Sequence, residues 1–191
     1  SIDGVPSVSV DNELGGALAV AHLLELGHRR IVFLNGPHAI RQCAERLRGA
    51  RRAVTEAGLE PDEVLHEVCV DSLDAAGGDV AMRRLVEQGG GVPPAALFCV
   101  NDLVAIGVQR SLRRLGGHRL LREVAVVGYD DLDISAELAV PLTSVRQPAL
   151  EMGRRAAELL TASDEEGALE GSAQHVSFQP ELVVRASSTG A

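Results

Sequence analysis

Residues 123–131 read Glu-Val-Ala-Val-Val-Gly-Tyr-Asp-Asp, a run of small apolar residues that ends in a glycine, a tyrosine and two carboxylates. The length and β-branching of residues 124–127 are typical of a strand that is buried on both faces. In an open parallel sheet, ligands bind outside the carboxyl ends of the strands. Asp130 and Asp131 therefore lie where a ligand would be met, although aspartate is equally typical of a turn that binds nothing.

Similar strand-like runs alternate with helical patterns along the rest of the chain. The other predicted strands or extended segments are residues 5–10, 31–34, 68–70, 96–100, 141–145 and 182–184. The apolar spacing predicts helices around residues 14–24, 42–57, 82–86, 104–115 and 151–160, with the fourth helix ending at Gly116-Gly117. An acidic exposed loop is expected at residues 163–171. This alternation predicts an α/β fold, a doubly wound parallel sheet with helices on both faces.

Right-handed crossovers place every strand-to-helix loop of such a sheet on one edge. That edge would collect residues 35–42, 71–74, 101–102 and 128–133, each of which brings polar side chains. This layout is typical of a binding site, although the same edge is polar in any doubly wound protein.

Signatures of catalysis are absent from the sequence, which contains no GxSxG, no HExxH and no phosphate-binding loop. Asp130 and Asp131 could form an acid–base pair, but no nucleophile or electrophile accompanies them. A carboxylate that accepts hydrogen bonds from ligand hydroxyls or amines is the simpler role. Arg46 could reach the same edge and donate to a ligand, although a lone helical arginine is usually solvated. We therefore predict a protein that is not an enzyme and needs no cofactor.

Charge and cysteine content narrow the class of protein further. The net charge of −9 makes the chain a poor nucleic-acid binder by itself, and no apolar stretch has the length of a membrane span. The three cysteines form no CxxC pair, which favours buried thiols in a reducing compartment such as the cytoplasm. The six histidines are scattered without zinc-binding spacing, so no metal site is expected.

Several segments, taken in order, resemble the LacI/GalR family of transcription repressors. They are VPSVSVDN (5–12), AHL (21–23), GHRRI (27–31), NGP (35–37), RLRG (46–49), FCVND (98–102), VGYDD (127–131) and PLTSVRQP (141–148). Each segment alone is a weak signal, whereas the ordered set is highly specific and covers nearly the whole chain.

The resemblance implies a periplasmic-binding-protein-like fold of type I, in which two subdomains enclose an effector cleft. Residues 11–145 and 179–191 would form the C-terminal, effector-binding subdomain, essentially complete. Residues 1–10 and 146–178 would be the remnant of the N-terminal subdomain. The helix-turn-helix headpiece that binds DNA in this family would be absent from the chain.

The resemblance also implies which residues meet the effector. Arg46, Asn101 and Asp130 match family positions that contact it. Ser72 lies in the loop 71–73, where several relatives place an aromatic that stacks on the ligand; its absence here speaks against a flat purine or a stacked sugar ring. Gln42 closes the segment 38–42, which varies among relatives and is expected to tune ligand choice.

The function implied is that of the effector-binding and dimerisation core of a cytoplasmic repressor. Its partners would be a small polar effector, most simply a sugar, and operator DNA through the headpiece, without a membrane. A homodimer is expected, with the exposed parts of the third and fourth helices as a candidate surface. The alternatives are a secreted or periplasmic sugar-binding protein of the same fold and a doubly wound enzyme. Residues 27–30 and 143–148 favour the repressor.

Overall fold

The computed structural model describes residues 5–165 and 174–190. In chain order the elements are β1 (Ser7–Val10), α1 (Asn12–Glu25), β2 (Ile31–Asn35), α2 (Arg41–Glu56), α3 (Pro61–Val64), β3 (Leu65–Cys69), α4 (Ala75–Gln88), β4 (Ala96–Cys99), α5 (Asp102–Glu123), β5 (Ala125–Asp130), α6 (Asp133–Ala136), β6 (Thr143–Arg146), α7 (Ala149–Glu165), β7 (His175–Phe178), β8 (Glu181–Val183) and α8 (Ala186–Thr189).

Six strands form the main sheet in the order β3-β2-β4-β5-β6-β8. The first five are parallel and have helices on both faces, as the alternating pattern predicts, because each is joined to the next through at least one helix. The predicted parallel sheet is thus confirmed for these five strands, and a sixth strand, β8, is added at one edge antiparallel to β6. Arg146 at the end of β6 pairs with Glu181 at the start of β8, so the chain leaves and re-enters the sheet at the same edge.

A separate two-stranded sheet joins β1 and β7, with Ser7 opposite His175 and Val10 opposite Phe178. The helix α7 packs against β1. The strand β7 was not predicted, because its alternation of exposed and half-buried residues spans only four positions. These elements lie outside the six-stranded sheet that carries the rest of the fold.

The core lies between the main sheet and the helix pairs α1–α2 and α4–α5. The strands β4 and β5 contribute residues that are almost fully shielded from water, which agrees with their uniformly apolar sequences. Phe33 and Phe98 stack across β2 and β4 with ring centroids 4.3 Å apart. Tyr129 on β5 is fully buried, so the core reaches the edge of the main sheet where Asp130 follows.

Several predicted boundaries differ from the observed ones. The fourth helix does lose helical geometry at Gly116-Gly117, where Gly117 has a φ of +64°, but helical structure resumes and reaches Glu123. The strand predicted at 68–70 is β3, which begins earlier, at Leu65, and follows the short helix α3, which was not among the predicted helices. The helix α7 extends into the expected loop at 163–171, and residues 166–171 lie outside the described part of the chain.

Cys69 also differs from expectation. It is exposed, whereas Cys43 and Cys99 are buried as expected. The reason is that Cys69 ends β3, which forms an edge of the sheet and has alternating exposed positions.

The helices α1 and α2 approach each other closely at two glycines. A Cβ atom on Gly16 would lie 2.1 Å from the carbonyl oxygen of Arg46, and one on Gly49 would lie 1.8 Å from that of Glu13. Both distances are shorter than any real contact, so this helix pair requires the absence of a side chain. The approach sets the position of Arg46, which follows the first turn of α2.

We predict that Gly49→Ala destabilises the chain by about 2 kcal/mol, because a methyl group forces the two backbones apart. The control is Gly153→Ala on α7, where a Cβ atom meets nothing within 4 Å. That substitution should stabilise the chain by about 0.5–1 kcal/mol, since alanine favours helix more than glycine does. Urea denaturation measures both effects, and equal stabilities of the two variants would contradict the packing described here.

Candidate functional site

The carboxyl end of β5 places two aspartates in unusual backbone conformations. Asp130 has a φ of 105° and Asp131 a φ of 52°, and they are the two described residues other than glycine with positive φ. Such conformations cost free energy and persist only where surrounding contacts hold them. Contacts with the surrounding residues therefore hold this turn and fix the positions of the two carboxylates.

The side chain of Asp130 is partly exposed and bound from two sides. Gln147 Nε2 donates to Asp130 Oδ1 at 2.6 Å, and Arg46 Nη2 lies 4.0 Å from the same oxygen. Burial raises the pKa of Asp130 to about 6, although the Arg46 guanidinium opposes this rise. The nearby carboxylate of Asp102 raises the pKa further, whereas the Gln147 hydrogen bond lowers it. This carboxylate is thus only weakly favoured in its charged form near neutral pH.

Arg46 is buried and occupied on several sides, unlike a solvated helical arginine. Its Nε donates to Asn12 Oδ1 at 3.1 Å, and its Nη1 donates to the carbonyl oxygen of Val100. The guanidinium carbon lies 3.4 Å from the centroid of the Tyr129 ring, a cation–π contact. Arg46 therefore joins α1, α2, β4 and β5 beneath the edge of the sheet, with Nη2 facing Asp130.

Asn12 supports this arrangement from the start of α1. Its Nδ2 donates to Glu45 Oε2 at 3.0 Å, and the Tyr129 hydroxyl donates to its Oδ1 at 3.5 Å. In the sequence, Asn12 was noted only as the last residue of the segment 5–12. Its buried position next to Arg46 could not be read from the sequence, because Asn12 and Arg46 are 34 residues apart.

Asp131 has different partners from Asp130 and is neutralised within the protein. Arg185 Nη1 donates to its Oδ1 at 2.6 Å, and Arg146 Nε donates to its Oδ2 at 2.7 Å. Desolvation raises the pKa of Asp131, but the bonds from Arg185 and Arg146 outweigh it and hold that pKa below its usual range. With both oxygens occupied, Asp131 serves the structure, and the two adjacent carboxylates have different roles.

Asp102 is a fully buried carboxylate that ties the loops of the edge together. Its Oδ1 accepts from Ser144 Oγ at 2.6 Å, and its Oδ2 accepts from Ser135 Oγ at 2.6 Å and from the Leu132 amide at 2.9 Å. Burial raises the pKa of Asp102. A Cβ atom on Gly128 would lie 2.2 Å from Oδ1, so this network also requires glycine in β5.

Asn101 caps α5 through its Oδ1, which accepts from the Val104 amide at 2.8 Å. Its Nδ2 donates to the carbonyl oxygen of Leu73 at 3.0 Å and links the loops that follow β3 and β4. Asn101 therefore lies at the edge, as predicted, beside the Val100 carbonyl that Arg46 contacts. Much of its hydrogen-bonding capacity is already used inside the protein.

The other two predicted site residues are less closely connected to Asp130. Ser72 Oγ donates to Asp74 Oδ1 at 2.8 Å, and Asp74 in turn caps α4. Gln42 is exposed in the first turn of α2. In residues 5–165 and 174–190, no hydrogen bond or ion pair joins either side chain to Asp130. The structure thus brings Arg46 and Asp130 together and places Asn101 beside them, whereas Ser72 lies on the loop after β3 and Gln42 in the first turn of α2.

Gln147 is the contact that sequence reasoning missed. It occurs in the segment 143–148, which was used only as a family signal. The sequence did offer one indication of this contact: Gln147 follows a predicted strand that ends at the same edge of the sheet as Asp130. Its bond to Asp130 joins residues 17 positions apart, which no local pattern indicates.

The chemistry of the edge suits reversible binding of a polar ligand. A carboxylate held by an amide and a guanidinium accepts hydrogen bonds from hydroxyl groups. Within the described residues, no group of three or more His, Cys, Asp or Glu side chains could hold a metal ion. The helices described are also too short or too polar to cross a membrane.

Comparison with known proteins shows which family these features resemble. A periplasmic binding protein-like domain matches residues 20–188. The HTH-type transcriptional regulator CelR of Thermobifida fusca is 41% identical over 162 residues, covering 82% of this chain and 46% of that protein. The ribose operon repressor of Escherichia coli K12 is 37% identical over 160 residues, covering 83% of this chain and 47% of that protein. The chain therefore spans about half the length of these curated relatives.

Solved structures agree with this assignment. A complex of the transcriptional regulator CelR with cellobiose superposes with a TM-score of 0.82 and 34% identity, covering 98% of this chain and 55% of that one. A putative transcriptional regulator of the LacI family from Sanguibacter keddieii superposes with a TM-score of 0.82 and 33% identity. That comparison covers 100% of this chain and 71% of the regulator.

The two neighbouring aspartates should affect stability in opposite directions. The pKa of Asp130 is raised by folding, so its stabilising contribution is present below about pH 4 and is lost as the pH rises through about 6. Asp130→Asn keeps the side chain neutral and should stabilise the chain at pH 8 by about 1 kcal/mol after allowance for solvent screening. This advantage should disappear at pH 4.

The matched variant is Asp131→Asn, which should destabilise the chain at pH 8 by about 2 kcal/mol, because Arg146 and Arg185 lose their partner. The pKa of Asp131 is lowered, so its contribution exists above about pH 4 and is lost in more acidic solution. Urea denaturation at pH 4 and pH 8 measures both variants. Shifts of the same sign at pH 8 would show that the two environments are described wrongly.

Proposed function

Because this chain belongs to the LacI family of transcriptional regulators, with the periplasmic binding protein-like domain of that family, we propose that it is the effector-binding and dimerisation core of a repressor. The observation that carries this proposal is the carboxylate of Asp130, which is held at the edge of the sheet by Gln147 and Arg46. The repressor acts in the cytoplasm and binds operator DNA through a headpiece outside residues 1–191. It has no catalytic role.

The effector is a sugar whose hydroxyl groups donate to Asp130. Three observations support this ligand class. The structure of CelR contains cellobiose, a second relative is a ribose operon repressor, and Asp130 has the acceptor chemistry that hydroxyls require. Residues 71–73 supply no aromatic ring, so recognition rests on polar contacts rather than on stacking.

Each predicted ligand-binding residue has a role in this proposal. Asp130 accepts hydrogen bonds from the sugar, and Arg46 holds its charge while offering Nη2 to a ligand oxygen. Asn101 contributes the hydrogen-bonding capacity that its helix cap leaves free. Ser72 approaches the sugar from the loop after β3 and Gln42 from the first turn of α2, and both adjust specificity.

The proposed division into subdomains separates the two sheets, except that Arg146 ends β6 of the main sheet. Residues 11–145 and 179–191 form the C-terminal subdomain, and residues 1–10 and 146–178 belong to the N-terminal subdomain. Effector binding between the two subdomains shifts the population of closed molecules, which alters the spacing of paired headpieces on the operator. The separate sheet of β1 and β7 supports this division.

We predict that cellobiose or D-ribose raises the melting temperature of the natural full-length protein, because a ligand that binds only the folded state stabilises it by mass action. At 100 times the dissociation constant the gain is about 2.7 kcal/mol. Asp130→Ala should remove the shift while the protein remains folded. A sugar-induced shift that persists in this variant would place the site elsewhere.

Dimerisation is proposed through the exposed parts of α4, α5 and the adjoining α6. Ser135 on α6 bonds to Asp102 at the start of α5, so the exposed apolar side chains of Leu103 and Ile134 flank this junction. They are 43% and 52% exposed, which an interface between two copies would bury. The remaining α4 and α5 surface carries arginines around the buried carboxylate of Asp79.

We predict that Leu103→Glu converts the dimer to a monomer, because it places a carboxylate in the apolar part of the interface. The control is Leu26→Glu, since Leu26 is equally exposed, at 43%, but lies at the end of α1. Size-exclusion chromatography with light scattering gives the mass of each variant. A dimer that withstands Leu103→Glu, or dissociates equally with Leu26→Glu, would exclude this surface.

A further inference from the structure

Gln147 connects the proposed effector carboxylate to the segment that leaves the main sheet. It lies between β6 and α7, and its side chain is half-buried. Its Nε2 donates to Asp130 Oδ1 at 2.6 Å, while Arg46 Nη2 lies 4.0 Å from that oxygen. One oxygen of Asp130 is therefore committed to contacts inside the protein.

The other oxygen of Asp130 is available to a ligand. In residues 5–165 and 174–190, Asp130 Oδ2 accepts no hydrogen bond. Among the described side chains, Ser111 Oγ is the one buried polar atom that lacks a hydrogen-bond partner, so Oδ2 is not buried. Oδ2 is thus in contact with solvent. The bond from Gln147 to Oδ1 fixes the rotation of the carboxylate and with it the direction of Oδ2.

The backbone around Gln147 ties its position to that of α7. The Ala149 amide donates to the Gln147 carbonyl oxygen at 2.8 Å, and the Met152 amide donates to the Pro148 carbonyl oxygen at 2.9 Å. Pro148 further restricts the backbone of the residue before it. The helix α7 packs on β1. A movement of the two-stranded sheet that carries α7 away from the main sheet would therefore pull Gln147 away from Asp130.

The residue before Gln147 does not contact Asp130 through its side chain. Arg146, the neighbour of Gln147, binds Asp131 at 2.7 Å and Glu181 at 2.8 Å. Both oxygens of Asp131 are occupied within the protein, and Glu181 belongs to β8 of the main sheet. Arg146 therefore holds the edge of the sheet together, whereas Gln147 binds Asp130, whose second oxygen is open.

We propose that Gln147 is a positioning residue for the effector, which orients Asp130 for a sugar hydroxyl and couples occupancy of that carboxylate to the position of α7. The ligand part of this inference rests on the proposed function. The coupling is reciprocal: a ligand on Oδ2 favours the arrangement in which Gln147 holds Oδ1, and loss of that arrangement weakens the ligand.

The test measures cellobiose and D-ribose binding to the natural full-length protein by isothermal titration calorimetry. Gln147→Leu replaces the polar amide with an apolar side chain of similar size, and should weaken binding about tenfold, the scale of a hydrogen bond to a charged group. Saturating sugar should slow amide hydrogen exchange in α7 of the wild type but not in this variant. The control Glu181→Gln disturbs the same crossing without touching Asp130 and should change affinity less than twofold.

The pH profile separates positioning from general support of the fold. Wild-type affinity should fall as the pH drops from 8 to 5, because Asp130 becomes protonated in this range. Of its neighbours, Arg46 lowers the pKa of Asp130 and Asp102 raises it. Gln147→Glu should show the opposite trend, since its added carboxyl repels Asp130 at pH 8. At pH 5, with one proton shared between the two carboxyls, it can donate to Asp130 as the amide does.

A measurement without sugar decides the positioning part independently. In the 191-residue chain, the carboxyl carbon of Asp130 can be titrated by NMR. Gln147→Leu should move the midpoint to higher pH, because the hydrogen bond favours the charged form. An unchanged midpoint, or equal affinity and equal α7 protection in the two proteins, overturns the inference. If the wild type binds neither sugar, the proposed ligand class fails while the NMR result still decides the role of Gln147.

Discussion

The buried carboxylate of Asp102 is the constraint on which the edge of the main sheet depends. A charge in such a place is tolerated only with hydrogen-bond donors, and its three donors come from two segments: the Leu132 amide and Ser135 at α6, and Ser144 on β6. Ser144 Oγ also accepts from the Asp131 amide at 3.0 Å. The bonds that satisfy Asp102 therefore hold the turn after β5 in its positive-φ conformation, and this turn aims Asp130.

The same edge keeps structural and ligand-facing groups apart although they are adjacent in sequence. Asp131 is enclosed by two arginines and its pKa is lowered, whereas Asp130 is desolvated, faces one guanidinium and has a raised pKa. Asp131 is the poorer acceptor for a ligand, because each of its oxygens already accepts a hydrogen bond from an arginine. The strain of the turn, the bonds to Asp131 and the opening at Asp130 are thus parts of one arrangement.

Most of the main sheet could be predicted from the sequence, because strands such as β4 and β5 are short apolar runs and the helices between them have clear periodicity. The prediction missed β7 and the antiparallel direction of β8, since both depend on pairing between distant segments. Arg46 and Asp130 were placed at the same edge correctly. The burial of Arg46 over Tyr129 and the bond from Gln147 were not foreseen, because each joins different elements and leaves no local signature.

The central claim is that Asp130 receives the effector through its free oxygen while Gln147 holds the other. The most direct test is a crystal structure of the natural full-length protein with cellobiose or D-ribose. The account predicts a sugar hydroxyl within hydrogen-bonding distance of Asp130 Oδ2 and Gln147 Nε2 still on Oδ1. A sugar bound away from Asp130, or one that displaces Gln147 from it, would contradict the account.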